Sequence, residues 1–297
     1  VKALRILVSC ALLVAHVPHA VAAPISFNTA LPVHAGGMLF RGQGVWMRMH
    51  DDPSSMGREM DVAAVPSTLV YGATSKLALM GVFPYLDKRL EIKSTGAVRR
   101  ASGLGDIMTV GRYEVFARSS AGQTSRGAVF AGLKWPSGRN DESDALGVLP
   151  PSVQLGSGSY DPIFGTVWSV QWLAFQVDAD LSYRRNTHAD DFKFGDSLEQ
   201  NISLQYRLWP RRLEAEGLPS FLYGVLEANS VYQAKNQAGG VADDDSGGYH
   251  LFLTPGLQWV SKRTVFELAA QLPAVQSLNG AALKTDYRLI GSFRLWF

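Results

Sequence analysis

From residue 24 onward, apolar side chains recur at every second position over long stretches of the chain. Between 198 and 208, Leu198, Ile202, Leu204, Tyr206 and Leu208 share one face, while Glu199, Asn201, Ser203, Gln205 and Arg207 share the other. Only Gln200 interrupts the apolar face. In 175–184, Phe175, Val177, Ala179, Leu181 and Tyr183 alternate with Gln176, Asp178, Asp180, Ser182 and Arg184. The stretches 264–272 and 286–297 behave in the same way. A period of two marks strands whose faces meet different surroundings. Several segments reach about 10–13 residues, longer than the roughly 5–6 usual in water-soluble strands and long enough to cross a bilayer when tilted.

The pattern predicts twelve strands, at 43–50, 65–73, 76–84, 104–118, 125–135, 160–171, 174–186, 196–208, 220–233, 248–259, 264–272 and 286–297. Their connections alternate between long polar segments, such as 136–159 and 234–247, and short turns, such as 74–75 and 172–173. An even strand number with turns and loops at opposite ends is the layout of an outer-membrane barrel. The expected fold is therefore all-β: a transmembrane, antiparallel, up-and-down β-barrel of about twelve strands. Trp46, Trp135, Trp168, Trp172, Trp209, Trp259 and Trp296 fall mostly near predicted strand ends, where amphipathic rings suit the headgroup boundary.

Residues 1–22 read as an export signal. Lys2 and Arg5 precede an apolar run from Ile6 to Ala15, and small residues follow at Ala20-Val21-Ala22-Ala23, with a cut expected after Ala22. Residues 23–42 are then expected as an N-terminal periplasmic segment and 43–297 as the barrel. The single cysteine, Cys10, falls inside the signal, so thiolate metal sites are excluded from the exported part.

Composition sharpens this picture. Basic and acidic residues nearly balance, 28 against 26, which argues against nucleic acid as a partner. Charged residues make up only 18% and aromatics 10%, while mean hydropathy is +0.01. An apolar face summed with a polar face in every strand gives that average, and a lipid-facing half carries little charge.

Ordered short motifs run through most of the chain: Gly103-Leu104-Gly105-Asp106-Ile107, Gly132-Leu133-Lys134-Trp135-Pro136-Ser137-Gly138-Arg139, Leu149-Pro150-Pro151 through Ser159, Asp161-Pro162, Phe194-Gly195-Asp196, Pro255-Gly256-Leu257-Gln258 and Asp286-Tyr287-Arg288-Leu289. In this succession the chain resembles the bacterial outer-membrane family labelled "putative MetA-pathway of phenol degradation". The resemblance covers roughly 40–297. It implies an outer-membrane β-barrel tied to passage of small hydrophobic or aromatic compounds, without fixing a substrate. Implied partners are outer-membrane lipid, a small-molecule solute and, during biogenesis, the barrel assembly machinery, whose signal resembles the aromatic terminal strand ending on Phe297.

If the apolar face meets lipid, the lumen receives Asp106, Arg112, Glu114, Arg118, Asp178, Asp180, Arg184, Glu199, Arg207, Glu227, Glu267, Arg288 and Arg294. Two readings stand side by side: a mutually paired network that stiffens a small barrel, and an electrostatic constriction that sorts solutes. Lys134, Arg139, Asp141 and Asp161 are candidates for an outer loop acting as a gate. Asp243-Asp244-Asp245 reads as a solvated acidic loop, with a divalent cation as the alternative. No motif calls for a cofactor or a resident metal. Two alternatives to a channel are a barrel hydrolase using His188 with Asp190 and Asp191, and a structural or adhesive barrel acting through its loops.

Overall fold

A computed structural model of the protein describes residues 21–212 and 220–297. The predicted export signal lies outside the described residues, apart from Val21 and Ala22.

The wall is built of strands β1 Met38–Met49, β2 Arg58–Gly72, β3 Leu77–Ile92, β4 Ala97–Leu104, β5 Met108–Ser120, β6 Gln123–Lys134, β9 Asp161–Trp172, β10 Phe175–Arg184, β12 Ser197–Trp209, β13 Phe221–Gln233, β16 Gly248–Val260, β17 Thr264–Leu278 and β18 Tyr287–Trp296. Strands adjacent in the wall pair antiparallel, and β1 pairs β18, so the sheet closes. Both β4 and β5 lie along β3, above and below a break at 105–107, and together make one wall strand. Counted so, the barrel has twelve strands. The loops carry the small hairpin β7 Ser143–Asp144 with β8 Gly147–Val148. They also carry a three-stranded patch of β11 Phe192–Lys193, β14 Gln237–Ala238 and β15 Val241–Ala242.

Register converts sequence alternation into two surfaces. Along β10 and β12, Phe175 faces Tyr206 and Val177 faces Leu204, while Asp178 faces Ser203 and Asp180 faces Asn201. The first set points outward and is exposed at Leu204 and Tyr206; the second is buried. A strand of 12 residues such as β1 spans about 40 Å along itself, and about 30 Å along the axis of a barrel with strands tilted by about 40°. That covers an apolar membrane band.

Several boundaries differ from the sequence pattern. β1 begins at Met38, β2 at Arg58, and β3 runs on to Ile92, where a turn at 93–96 leads into β4. The predicted long connection over 85–103 is thus a hairpin extending the wall. Its outward face changes from Leu79, Phe83 and Tyr85 to Asp87, Arg89 and Glu91, and Arg100 pairs with Asp87 at 2.6 Å, so it stands clear of lipid. A bulge between Glu114 and Phe116 reverses the alternation, so Arg118 is exposed at the turn end and does not enter the lumen. Trp296 also departs from its expected place. It points inward, 7% exposed, and packs with Ala22, Val260 and Val265. Trp209 and Trp259 do face outward at the turn end, stacked at 5.9 Å.

The largest difference concerns residues 21–37. The expected periplasmic segment runs inside the barrel, where the wall offers it hydrogen-bond partners at Ala23–Ser26, Thr29–Leu31 and Gly36–Gly37.

Leu268 is 70% exposed on the outward face, beside Leu257 and Gly291. Leu268→Arg is expected to lower unfolding free energy in lipid vesicles by about 2–4 kcal/mol, the cost of a cation deep in the apolar band. Val241→Arg, in an exposed loop hairpin, should stay within about 0.5 kcal/mol. Urea titration of the vesicle-inserted protein checks both, and equal effects would contradict the lipid-facing assignment.

Candidate functional site

The lumen is divided lengthwise. On β10, β12, β13, β16, β17 and β18 the inward side chains are mostly polar: Asp178, Asp180, Asn201, Ser203, Gln205, Arg207, Glu227, Asn229, Thr254, Gln258, Glu267, Gln271, Ser292 and Arg294 are all buried, with Val225, Phe252, Val260, Val265, Ile290 and Trp296 as apolar exceptions. On β2, β3, β5, β6 and β9 they are mostly apolar. Val70, Ala78, Met80, Val110, Ala128, Phe130, Ile163 and Val167 form one cluster with Ala30 and Val33. Gly165 keeps this wall smooth, since a Cβ there would strike the Phe130 ring.

The N-terminal segment runs from the polar half, at Pro24–Ser26, across to the apolar wall, at Thr29–Val33. Glu227, fully buried, accepts from the backbone N–H of Ile25 at 2.6 Å and of Ser26 at 3.2 Å, and from the Ser26 hydroxyl. Arg294 donates to the carbonyl of Pro24, while Arg41 and Gln43 donate to that of Ile25. Thr29 donates to Asp178 at 2.8 Å, and Ala30 N–H to Ser169 at 2.8 Å. Arg112 reaches the carbonyls of Thr29 and Leu31. Unpaired backbone groups away from water are costly, so these contacts fix the segment as a plug. At its exit, Gly72 N–H donates to Gly37 carbonyl at 3.0 Å, and a Cβ on Gly72 would collide with the His34 carbonyl.

Between plug and apolar wall lies a cavity of about 360 Å³. Ligand pockets commonly hold about 300–1,000 Å³. Its apolar side is Pro66, Val70, Met80, Val82, Met108, Val110, Phe130 and Ile163; Phe27, Leu31 and Pro32 of the plug line the other side. Toward the loop end it meets Asp180, Ser182, Arg184, Ser197 and Glu199.

The candidate lumen residues Arg112, Asp178, Asp180, Arg207, Glu227, Glu267 and Arg294 are buried inside. Arg184 and Glu199 face each other at 4.0 Å, and Glu114 pairs with Arg126. Arg288 lies over the Phe252 ring at 4.9 Å and donates to Gln271. Asp106 sits instead at the wall break, where it accepts from Gly138 N–H at 3.0 Å and Ser157 N–H at 2.8 Å.

That break anchors the loop 135–160. Lys134 bridges Asp106 at 3.3 Å and Asp161 at 2.5 Å, joining residues from three of the sequence motifs. Arg139 pairs with Glu142, and Asp141 is exposed. Farther along, Leu149, Val153 and Leu155 are buried against Met60, Val62, Leu90 and Ala101 of the inner wall, so the loop caps the mouth. Lys88 donates to the carbonyls of Ser152 and Gln154, and Arg99 holds Asp144 at 2.6 Å and the carbonyls of Gly147 and Val148. The Asp144 carboxyl lies below the usual range, held there first by the N–H of Leu146 and then by Arg99. Neither Lys88 nor Arg99 was marked by the sequence pattern. Each lies in a stretch expected to be loop.

The loop 50–57 is held by Asp52, whose carboxyl lies well below the ordinary carboxylate range because Arg58 donates to it at 2.7 Å, with the N–H groups of Arg58 and Ser54 adding to the effect. A depressed value contributes stability that is complete above the unfolded value of about 3.9 and is lost as pH falls through the folded one. Amide exchange at Ser54 and Arg58 should therefore stay slow from pH 7 down to about 4 and accelerate only well below that. Acceleration already near pH 6 would contradict the ion pair.

His188 is exposed in the loop after β10, and no hydrogen bond or ion pair joins it to Asp190 or Asp191 among the described residues. Asp243, Asp244 and Asp245 are spent on loop contacts: Asp243 takes the N–H of Asp245, Asp244 takes Lys235 at 2.5 Å, and Asp245 takes the N–H of Ala281 in the neighbouring loop.

Among solved structures, the barrel is similar to the COG4313 outer membrane channel from Pseudomonas putida F1. The TM-score is 0.68 at 14% identity, over 93% of this chain and 100% of that one. It is more distantly similar to the β domain of the Bordetella autotransporter Brka, with a TM-score of 0.47 at 12% identity, over 89% of this chain and 100% of that one. No curated protein matches the chain. The family model described as "Putative MetA-pathway of phenol degradation" matches residues 60–272, well over half of the sequence, and the chain belongs to that family.

Proposed function

We propose that the protein is an outer-membrane channel through which small hydrophobic or aromatic compounds pass. The observation that carries this reading is the lengthwise division of the lumen. The plug's first stretch, Pro24–Ser26, lies against the polar half, while Ala30 and Val33 pack on one part of the apolar half and leave the rest of it open as a track. That track runs from Met60, Val62 and Leu90 under the cap, past Val82 and Met80, to the cavity beside the plug. An apolar solute gains nothing from a water-filled pore, whereas an apolar wall lets it leave water without stranding a polar group. The family's description and the outer-membrane channel of similar fold agree with this reading.

In this arrangement the cap closes one end and the plug fills the other, so passage requires one of them to shift. Lys134, Asp106 and Asp161 then act as the hinge of the cap, and the lumen charges as the frame that positions the plug. The chain works as a channel and not a hydrolase on this reading, since His188 has no orienting partner among the described residues. Phe297, outward and 53% exposed at the end of the last strand, serves as the signal for the assembly machinery.

Uptake of an apolar fluorescent aromatic probe by intact cells tests the proposal. Cells producing the chain should accumulate the probe faster than cells without it. Val82→Asp, which puts a charge on the apolar track, should abolish the gain while the barrel still shows heat-dependent gel mobility. Equal uptake with and without the intact chain would overturn it.

A further inference from the structure

The cavity's charged lining is lopsided. Four arginines reach it, Arg41, Arg112, Arg184 and Arg294, against two carboxylates, Asp180 and Glu199. Arg41 and Arg294 share one buried lumen carboxylate, Glu267, at 3.1 and 2.7 Å. Among the described residues Arg112 has no carboxylate within ion-pair distance, and it spends its N–H groups on plug carbonyls. The nearby Glu227 is committed to the plug's own N–H groups. Asp180 takes an amide hydrogen from Asn201 at 3.0 Å.

At the loop end of the cavity the match is loosest. Among the described residues the Arg184 guanidinium, with 36% of its side chain exposed, pairs only with Glu199, at 4.0 Å. Beside it the hydroxyl of Ser197, a residue 4% exposed, is buried with no hydrogen-bond partner among those residues. Arg184 brings donors alone and Ser197 a donor, so the complement is a group rich in acceptors. Across the cavity stands the apolar wall.

We infer that the preferred occupant of this cavity is a small carboxylate with an apolar, ring-sized body, its ring on the Met80–Val82–Phe130 wall and its carboxylate on Arg184. The inference rests on the channel reading and narrows its solute class. A planar guanidinium can grip a carboxylate through two parallel hydrogen bonds, which a neutral hydrocarbon cannot use. An ammonium ion of the same size meets the charge of Arg184 and is disfavoured.

Binding of benzoate, benzyl alcohol and benzylammonium to the full chain in detergent, followed by ligand-observed NMR, tests this. A Met80→Trp variant, whose ring fills the cavity, subtracts partition into micelles. Benzoate should bind tightest and benzylammonium weakest. Arg184→Gln should weaken benzoate roughly tenfold, the size of one hydrogen bond to a charged group. Glu199→Gln should strengthen benzoate, and this opposite sign keeps the test alive if Arg184→Gln fails to fold. If benzyl alcohol or benzylammonium equals benzoate, or neither substitution moves benzoate, the inference is overturned and the apolar channel stands. If none of the three binds, the cavity is not a solute site and both readings fall.

Discussion

Removing residues 24–33 is expected to turn a closed or flickering barrel into a steadily conducting one, with single-channel conductance raised on the order of tenfold, toward that of a barrel with an aqueous lumen. The expectation follows from where the plug's bonds go. Ile25, Ser26, Thr29 and Ala30 are held by Glu227, Asp178 and Ser169, and the carbonyls of Pro24, Ile25, Thr29 and Leu31 by Arg294, Arg41 and Arg112. All of these partners belong to the wall, and none of them is a ladder bond between strands. The wall therefore closes on itself without the plug, and its polar half becomes hydrated once the segment is gone. The freed groups then exchange protein partners for water, which limits the net loss to about 0.5–1.5 kcal/mol for a neutral bond and about 1.5–3 kcal/mol for one to a charged group. Planar-bilayer recordings compare the shortened and intact chains. A shortened chain as closed as the intact one would show that the cap, not the plug, sets the resistance.

The outward half of this barrel is legible in the sequence because lipid imposes one rule on every strand. Leu204, Tyr206, Phe266, Leu268, Leu289 and Phe293 all obey it, and the strand number follows from their spacing. The inward half obeys no common rule. On β2 and β3 the inward Met60, Val62, Val70, Met80 and Leu90 are as apolar as the outward Leu69, Leu79 and Phe83, so no alternation marks those strands' full length. The apolar track was invisible for that reason. The plug was invisible for another: residues 21–37 carry no period, and their partners are spread from Arg41 to Arg294. Asp106 and Lys134 stood out only within short motifs. Their meeting with Asp161 and Ser157 depends on a break in the wall strand that Gly103 and Gly105 allow. Gly103 adopts a φ of 155°, which side-chain-bearing residues rarely take.

Glu267→Ala is expected to destabilise the barrel by about 3–5 kcal/mol, the loss typical when one member of a buried charged cluster is removed. Glu267 is 2% exposed and takes Arg294 at 2.7 Å, Arg41 at 3.1 Å and Gln258 at 2.6 Å, with the Ser292 hydroxyl completing its shell. Without it, two guanidiniums remain inside the wall with only plug carbonyls and amide oxygens to face. Glu267→Gln keeps part of the hydrogen bonding but not the charge, and should fall between the alanine variant and the parent. Adding Arg294→Met to Glu267→Ala removes one stranded cation, so the double variant should recover part of the loss, and the cycle of four proteins gives the coupling. Urea unfolding in lipid vesicles measures each. The same arginines also hold the carbonyls of Pro24 and Ile25, so the alanine variant should loosen the plug as well. Repeating the substitution in the chain lacking residues 24–33 separates the two effects. A cost that persists there belongs to the wall, and one that vanishes means Glu267 acts through the plug alone.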